Sequence, residues 1–330
     1  MQDQLEAIWY GNHPMGMCLA PAGWLFAGVV TVRRALYRAR LLPSIRLPVP
    51  VIVIGNVTVG GTGKTPLVIW AAELLSARGY RPGVVSRGYR GRATQWPQQV
   101  RADSDPAMVG DEPVMIARRT GCPVVAAGPE RAAAAAALVK HSGCNVVLSD
   151  DGLQHLALAR DMEIAVIDAE RRFGNGRCLP AGPLREPVAR LQSVDFVVVN
   201  GASMDAEIKM HLEAGAPTGV SDSGHQLTFS ALRETPVHAV CGIGNPQRFF
   251  RQLESKGLEV ISHPYPDHHE FVPEELEFDD DYPVLMTEKD AVKCVRFSSD
   301  RMWYVPVNAV LPSGFASKFL DALARIQNEH

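Results

Sequence analysis

The chain has 330 residues, 46% hydrophobic and 21% charged; this excludes a disordered, collagen-like or coiled-coil protein and leaves room for about two domains. Lys and Arg total 33 against 36 Asp and Glu, a net charge of −3, without the basic excess of a dedicated duplex-DNA binder, so no nucleic-acid partner is expected. The total hides an asymmetry: no acid lies between Glu6 and Glu73, while Arg33, Arg34, Arg38, Arg40, Arg46 and Lys64 all do, which points to an anionic partner at that end. The six cysteines include no CxxC pair, which favours scattered thiols in a reducing compartment over a disulfide framework or a zinc site.

Residues 1–47 read as a first unit. Residues 15–32 are a mostly apolar run, followed at once by Arg33, Arg34, Arg38 and Arg40. The run is short for a spanning helix, and Gly16, Pro21, Gly23 and Gly28 weaken it further. A secretory signal has its positive residues before the apolar core, not after it. Leu25, Val29, Val32 and Leu36 recur at helical spacing beside the arginines, and Trp24 and Tyr37 suit a headgroup zone. The pattern predicts an amphipathic helix lying on a membrane surface. A true span, or a helix packed on the protein's own core, are the alternatives. In any orientation the arginines and the domain after them belong on the cytosolic side.

A second unit, 48–225, opens with the β-branched run 49–54, which predicts a strand, and 67–75, which predicts a helix. Between them lie Thr58, Val59, Gly60, Gly61, Thr62, Gly63, Lys64 and Thr65. Strand, glycine-rich loop and helix is the context that makes a phosphate-binding Walker A loop credible. The backbone N–H groups cradle phosphate, Lys64 reaches the β- and γ-phosphates, and the Thr65 hydroxyl ligates Mg²⁺. Thr58 stands where the general motif has glycine. Further on, 145–149 is a buried-strand pattern ending in Asp150 and Asp151, the Walker B arrangement that anchors Mg²⁺. Strands are expected at 82–86, 123–127, 164–168 and 196–200, and helices at 114–119 and 130–140. Gly/Pro-rich stretches at 173–176 and 180–187 predict a functional loop. These features predict an α/β fold with a mostly parallel, P-loop NTPase-like sheet flanked by helices.

From 226 to 330 the chain reads as a smaller α/β domain, with strands at 237–241, 258–262 and 283–286 and a helix at 247–256. Gly242-Ile243-Gly244 lacks the third glycine of a dinucleotide fingerprint. Thr287-Glu288-Lys289-Asp290 has Glu288 where a guanine-reading motif has Asn, which argues against a GTP switch. A soluble ATP-dependent ligase is disfavoured by the basic, apolar N-terminus. Closure of this domain over ATP would exclude water.

The motifs TVGGTGKT, SRGYRG, GDEP, DDGLQH, RRFGNGRCLPAGPLREP, CGIGNPQRFF and TEKDAVK occur in this order. Together they resemble the tetraacyldisaccharide 4′-kinase (lipid A 4′-kinase) family from about residue 8 to 306, and Thr58 is similar to that family's usage. The resemblance implies a kinase that uses ATP and Mg²⁺ at the cytoplasmic face of a Gram-negative inner membrane. It would phosphorylate the 4′-hydroxyl of a tetraacylated glucosamine disaccharide 1-phosphate, an anionic lipid, to give lipid IVA. Carried over by motif, Asp111 becomes the general base, partnered by His268 or by the adjacent His269. Asp150, Asp151, Gln154 and Glu186 would serve Mg²⁺ and phosphate geometry. Arg131 and Arg185 would neutralise phosphoryl charge, and Arg87, Glu112 and His155 would line the substrate site.

Overall fold

The computed structural model describes residues 2–11, 13–204 and 207–329. Helices α1 (Gln2–Tyr10), α2 (Met15–Cys18) and α3 (Ala20–Arg38) precede the first strand. Strands β1 (Val51–Gly55), β2 (Pro82–Ser86), β3 (Gln98–Val100), β4 (Val124–Ala126), β5 (Val146–Asp150), β6 (Met162–Asp168), β7 (Phe196–Asn200) and β8 (Ile208–Ala214) follow. Among them run α4 (Lys64–Ala77), α5 (Pro106–Val109), α6 (Asp111–Thr120) and α7 (Arg131–Ser142). A second set holds β9 (Thr218–Gly219), β10 (Val237–Cys241), β11 (Val260–Pro264), β12 (Val284–Thr287) and β13 (Met302–Val305), with α8 (Pro246–Ser255) and α9 (Glu288–Cys294). The chain closes with β14 (Val307–Val310) and α10 (Ser313–Glu329).

Two sheets result. The larger has nine strands in the order β14-β8-β7-β6-β1-β5-β2-β4-β3 and is parallel except at its two edges, β14 and β3. The smaller has five, β11-β10-β12-β13-β9, with only β9 antiparallel. Strands β1, β2 and β5 are buried along their whole length, as expected for parallel strands covered on both faces. Ile52 and Ile54 face a core shared with α4, α6 and α10, while Val51 and Val53 face one shared with α7. The register pairs Ile54 with Asp150. The phosphate loop and the acidic strand end therefore leave the sheet side by side, at the carboxyl ends where α/β proteins bind ligands.

The expected α/β fold, with its mostly parallel flanked sheet and a smaller α/β unit, is what the structure shows. One grouping needs correction. Residues 307–329 were expected with the smaller unit, yet β14 pairs with β8 of the large sheet. Phe315, Phe319 and Leu323 of α10 enter the large-sheet core. Their spacing lays one apolar stripe along α10, and Phe315 stacks on Trp70 of α4 at 5.5 Å between ring centroids. Strand β8 was also missed. Its pattern is local and regular: Ile208, Met210 and Leu212 turn inward while Lys209, His211 and Glu213 are exposed. Because Phe319 is fully buried, Phe319→Ala is expected to cost about 3–5 kcal/mol. Denaturant unfolding would measure it, and a loss under about 1 kcal/mol would show that α10 contributes little to this core.

Helix α3 lies against the large unit along one side only. Ala20 and Gly23 are buried, and a Cβ on Gly23 would sit 2.9 Å from the Cys178 carbonyl oxygen, so only glycine lets the helix approach this closely. Phe26 and Ala27 pack on Val57, Cys178 and Leu184. The opposite side presents Trp24, Leu25, Val29 and Val32 to solvent, Trp24 at 72% exposure and Leu25 at 71%. No helix among the described residues is long and apolar enough to cross a membrane. The expected cationic face is divided. Arg33 donates to the Gln154 carbonyl at 3.3 Å and Arg34 to the Ser193 hydroxyl, while Arg38 and Arg40 are exposed. Arg46 is paired with Asp161 at 2.9 Å.

Candidate active site

The phosphate loop is fixed at both ends by side-chain amides. Asn56 Nδ2 donates to the Gly60 carbonyl at 3.3 Å, and Asn200 Nδ2 to that of Thr62 at 3.2 Å. Thr58 is buried and bridges to Leu184, while the Val59 N–H donates to Pro183 O at 2.9 Å. The Gly/Pro-rich stretch is thus the second wall of the loop. Lys64 and Thr65 begin α4, where backbone N–H groups point outward and favour an anion.

Around this loop the structure gathers four of the expected groups. Lys64 Nζ lies 3.6 Å from Asp151 Oδ1, and Arg185 Nη1 3.0 Å from Asp151 Oδ2. Arg131 Nη1 donates to the Asp151 carbonyl at 2.8 Å. Burial alone would push the Asp151 carboxyl up, but Lys64, Arg185 and Arg131 together hold it well below the usual carboxylate range. Asp150 behaves oppositely. Burial first, then the nearby Glu112 and Asp151 charges, push it up to about 7. Ser86 donates to its Oδ2 at 3.4 Å, and its Oδ1 is buried with no hydrogen-bond partner. Arg131 is also buried, and burial lowers its guanidinium to about 10, still charged at neutral pH. Its Nε and Nη2 have no partner within the protein. A buried acceptor and two buried donors without partners are costly unless a ligand satisfies them. A cation on Asp150 and an anion on Arg131 match those needs.

Gln154 and Glu186 meet each other: Gln154 Nε2 donates to Glu186 Oε1 at 2.7 Å and to the Asn56 carbonyl at 3.1 Å. Arg190 Nε lies 3.3 Å from Glu186 Oε2. Both side chains therefore already brace the strand end that carries the phosphate loop. His155 is lowered to about 3, by burial and then by Arg131 and Arg87, and is neutral at physiological pH. Arg87 lies over the Tyr89 ring at 6.0 Å.

A second cluster forms where the two units meet. Asp111 opens α6 after Gly110, which takes φ +94° and where a Cβ would sit 3.0 Å from the Tyr89 carbonyl oxygen, so a side chain there would be strained and crowded. Asp111 Oδ2 lies 2.9 Å from His268 Nδ1. Of the two adjacent histidines it is His268 that faces Asp111; His269 pairs with Glu275 at 2.9 Å. His268 takes a left-handed backbone, φ +62°, and its N–H donates to the Gly242 carbonyl at 3.0 Å. Both Asp111 and His268 line a cleft of 720 Å³, with Tyr89, Arg92, Arg118 and Phe271. Glu112 lies 3.8 Å from Lys289.

The residues to which sequence reasoning gives no role are those of Thr287-Glu288-Lys289-Asp290, part of the resemblance but read chemically only as a failed base reader. Thr287 caps α9, accepting from the Asp290 N–H at 3.2 Å. Glu288 pairs with Arg119 of α6 at 2.9 Å. Lys289 Nζ reaches His268 Nε2 at 3.1 Å. Asp290 accepts from the Gly242 N–H at 2.9 Å, beside the turn that carries His268. Four consecutive polar residues in one motif, half of them carboxylates, were a signal that each has an assigned partner.

The family described as tetraacyldisaccharide-1-P 4′-kinase (LpxK) matches residues 15–324. A tetraacyldisaccharide 4′-kinase from Nitrosococcus oceani is 54% identical over 315 residues, covering 96% of this chain and 93% of its own. One from Methylobacillus flagellatus is 48% identical, covering 98% and 97%. A crystal structure of LpxK from Aquifex aeolicus in complex with ATP is similar at a TM-score of 0.80 and 26% identity, covering 94% of this chain and 99% of that one. With a phosphate loop, an acidic strand end and an Asp–His pair on one scaffold, and with these likenesses running nearly end to end, the chain belongs to the tetraacyldisaccharide 4′-kinase family.

Proposed function

We propose that the protein transfers the γ-phosphate of ATP to the 4′-hydroxyl of a tetraacylated glucosamine disaccharide 1-phosphate, forming lipid IVA. The observation that carries this reading is the Asp111–His268 pair, 2.9 Å apart, on the wall of a cleft that arginines and aromatic rings line. Arginine forks suit phosphate and aromatic faces suit sugar.

Phosphoryl transfer is chiefly positioning and charge stabilisation. The backbone from Thr58 to Thr65 and the Lys64 ammonium hold the β- and γ-phosphates. Arg131 and Arg185 meet charge on the transferring group. Thr65, Asp150 and Asp151 would hold Mg²⁺, which supplies further neutralisation of the phosphates. The fit is supported by the unpartnered Asp150 Oδ1. Among the described residues no three His, Cys, Asp or Glu side chains form a metal cluster. Gln154 and Glu186 brace the loop that these groups stand on. Asp111 takes the proton of the attacking hydroxyl, and Arg87, Glu112 and His155 border the acceptor. The outward apolar side of α3 rests on the cytoplasmic face of the inner membrane, which holds the acceptor lipid; no nucleic acid takes part.

The test is a detergent-micelle assay with γ-labelled ATP and the disaccharide 1-phosphate, with Mg²⁺ present or chelated. Label is expected in the lipid fraction only when Mg²⁺ is present. Unlabelled lipid beside an active control enzyme would sink the kinase reading, and undiminished labelling in chelator would remove Mg²⁺.

A further inference from the structure

We propose that Lys289 is a positioning residue that fixes His268 as a donor from Nδ1 and leaves Asp111 as the sole proton acceptor for the attacking hydroxyl. The inference rests on the kinase reading above and assigns a proton pathway within it.

An ammonium carries three donors and no lone pair. Lys289 Nζ lies 3.1 Å from His268 Nε2, so that ring nitrogen accepts. A histidine accepting at Nε2 carries its hydrogen on Nδ1, and Nδ1 is the atom 2.9 Å from Asp111 Oδ2. Asp111 then accepts that hydrogen as a carboxylate. Its other oxygen, Oδ1, accepts from the Glu112 N–H at 3.0 Å. The tautomer follows from the lysine rather than from the carboxylate alone.

The lysine is held charged for this task. Burial works against its ammonium, but Asp111, Glu112, Asp267 and Asp290 outweigh it, and its affinity for the proton is raised. Asp111 Oδ2 lies 3.9 Å away, Glu112 Oε1 3.8 Å and Asp267 Oδ1 3.6 Å. The same charge acts back on Asp111. Burial pushes that carboxyl up, the His268 hydrogen bond and the Lys289 charge pull it down, and the balance lies below its ordinary value. Each neighbouring element contributes a charged group: His268, from the turn after β11, and Lys293, from α9, act with Lys289 on Asp111, while Asp267 from that turn, Asp290 from α9 and Glu112 from α6 act on Lys289. Tyr89 lies 5.3 Å from the His268 ring, and Arg90 donates to the Asp267 carbonyl at 3.0 Å.

The proton count is complete. The hydroxyl O–H bond breaks and its proton passes to the Asp111 carboxylate. The hydroxyl oxygen bonds to the γ-phosphorus, and the bond between that phosphorus and the bridging oxygen breaks to leave ADP. His268 keeps its Nδ1 hydrogen throughout and cannot relay the proton through Nε2 while Lys289 occupies it.

The experiment is the pH dependence of kcat/KM in the micelle assay for the parent, Lys289→Met and Lys289→Arg, with thermal unfolding as a check on folding. The base must be ionised, and its proton affinity rises when the ammonium is removed. The acid limb of Lys289→Met is therefore expected to move to higher pH by about one unit, a rate about tenfold lower at a pH on that limb. KM for ATP should change little, and Lys289→Arg, which keeps the charge, should keep the limb in place. An unmoved limb in Lys289→Met, whether the variant is active or impaired, overturns the proposal. If Lys289→Met does not fold, a limb displaced in Lys289→Arg overturns it instead. A parent enzyme that labels no lipid defeats the kinase reading; an active parent with an unmoved limb defeats only the role of Lys289.

Discussion

Asp111→Asn is expected to lower kcat by about 10²–10⁴-fold, the usual span for loss of a general base, while ATP affinity stays within about twofold of the parent. The substitution keeps the shape of the side chain and its ability to accept from the Glu112 N–H, which reaches Oδ1 at 3.0 Å. It removes the charge that His268 and Lys289 are arranged around. Nothing in the phosphate loop touches Asp111: the loop is held by Asn56 and Asn200, and Lys64 pairs with Asp151. Steady-state kinetics with the lipid acceptor, beside calorimetric titration of ATP, separate the two quantities. Turnover within a few-fold of the parent would remove Asp111 from the base role. Joint loss of turnover and ATP affinity would make it a structural residue instead.

The two clusters differ in how far they were readable. The phosphate loop is local: a β-branched run, glycines, Lys64 and Thr65 are contiguous, so one stretch of chain carries the whole device. The acidic strand end is remote in sequence but has its own signature, an apolar strand closing on Asp150 and Asp151. The Asp111–His268 contact joins residues 157 positions apart, one opening α6 and the other in the turn after β11, so no spacing rule reaches it; only resemblance to a known family suggests it, and that leaves His268 and His269 unresolved. Lys289 has no role in the sequence reading because its motif, although one of those that carry the family resemblance, is weighed chemically only as a nucleotide-base reader. The return of β14 and α10 to the large sheet escaped for a related reason. A strand's choice of partner across an intervening unit is settled by which apolar face is left uncovered, here that around Trp70, and not by the strand's own residues. The arginines after the apolar run show the same limit, since helical spacing placed Arg33 and Arg34 on α3 but did not say that they turn to Gln154 and Ser193.

That division of the arginines shapes the last expectation. If α3 holds the protein to lipid, its grip comes mainly from apolar side chains and only secondarily from charge. Trp24, Leu25, Val29 and Val32 are all exposed, and changing them to serine removes apolar surface without disturbing the packed side formed by Ala20, Gly23 and Phe26. At about 1 kcal/mol for each side chain partly buried at an interface, the quadruple variant is expected to lose about 4 kcal/mol of membrane binding, close to a 10³-fold weaker partition. Flotation with anionic lipid vesicles measures it, and ATP binding should be retained. Arg38→Ser with Arg40→Ser should cost less, about 1 kcal/mol for each arginine near the surface, and that loss should shrink as salt is raised. The apolar loss should be nearly independent of salt. A quadruple variant that floats as well as the parent would mean that α3 serves the protein's own core and that the membrane contact lies elsewhere. A loss that salt abolishes would reverse the order, making charge the main attachment and the exposed apolar residues its accompaniment.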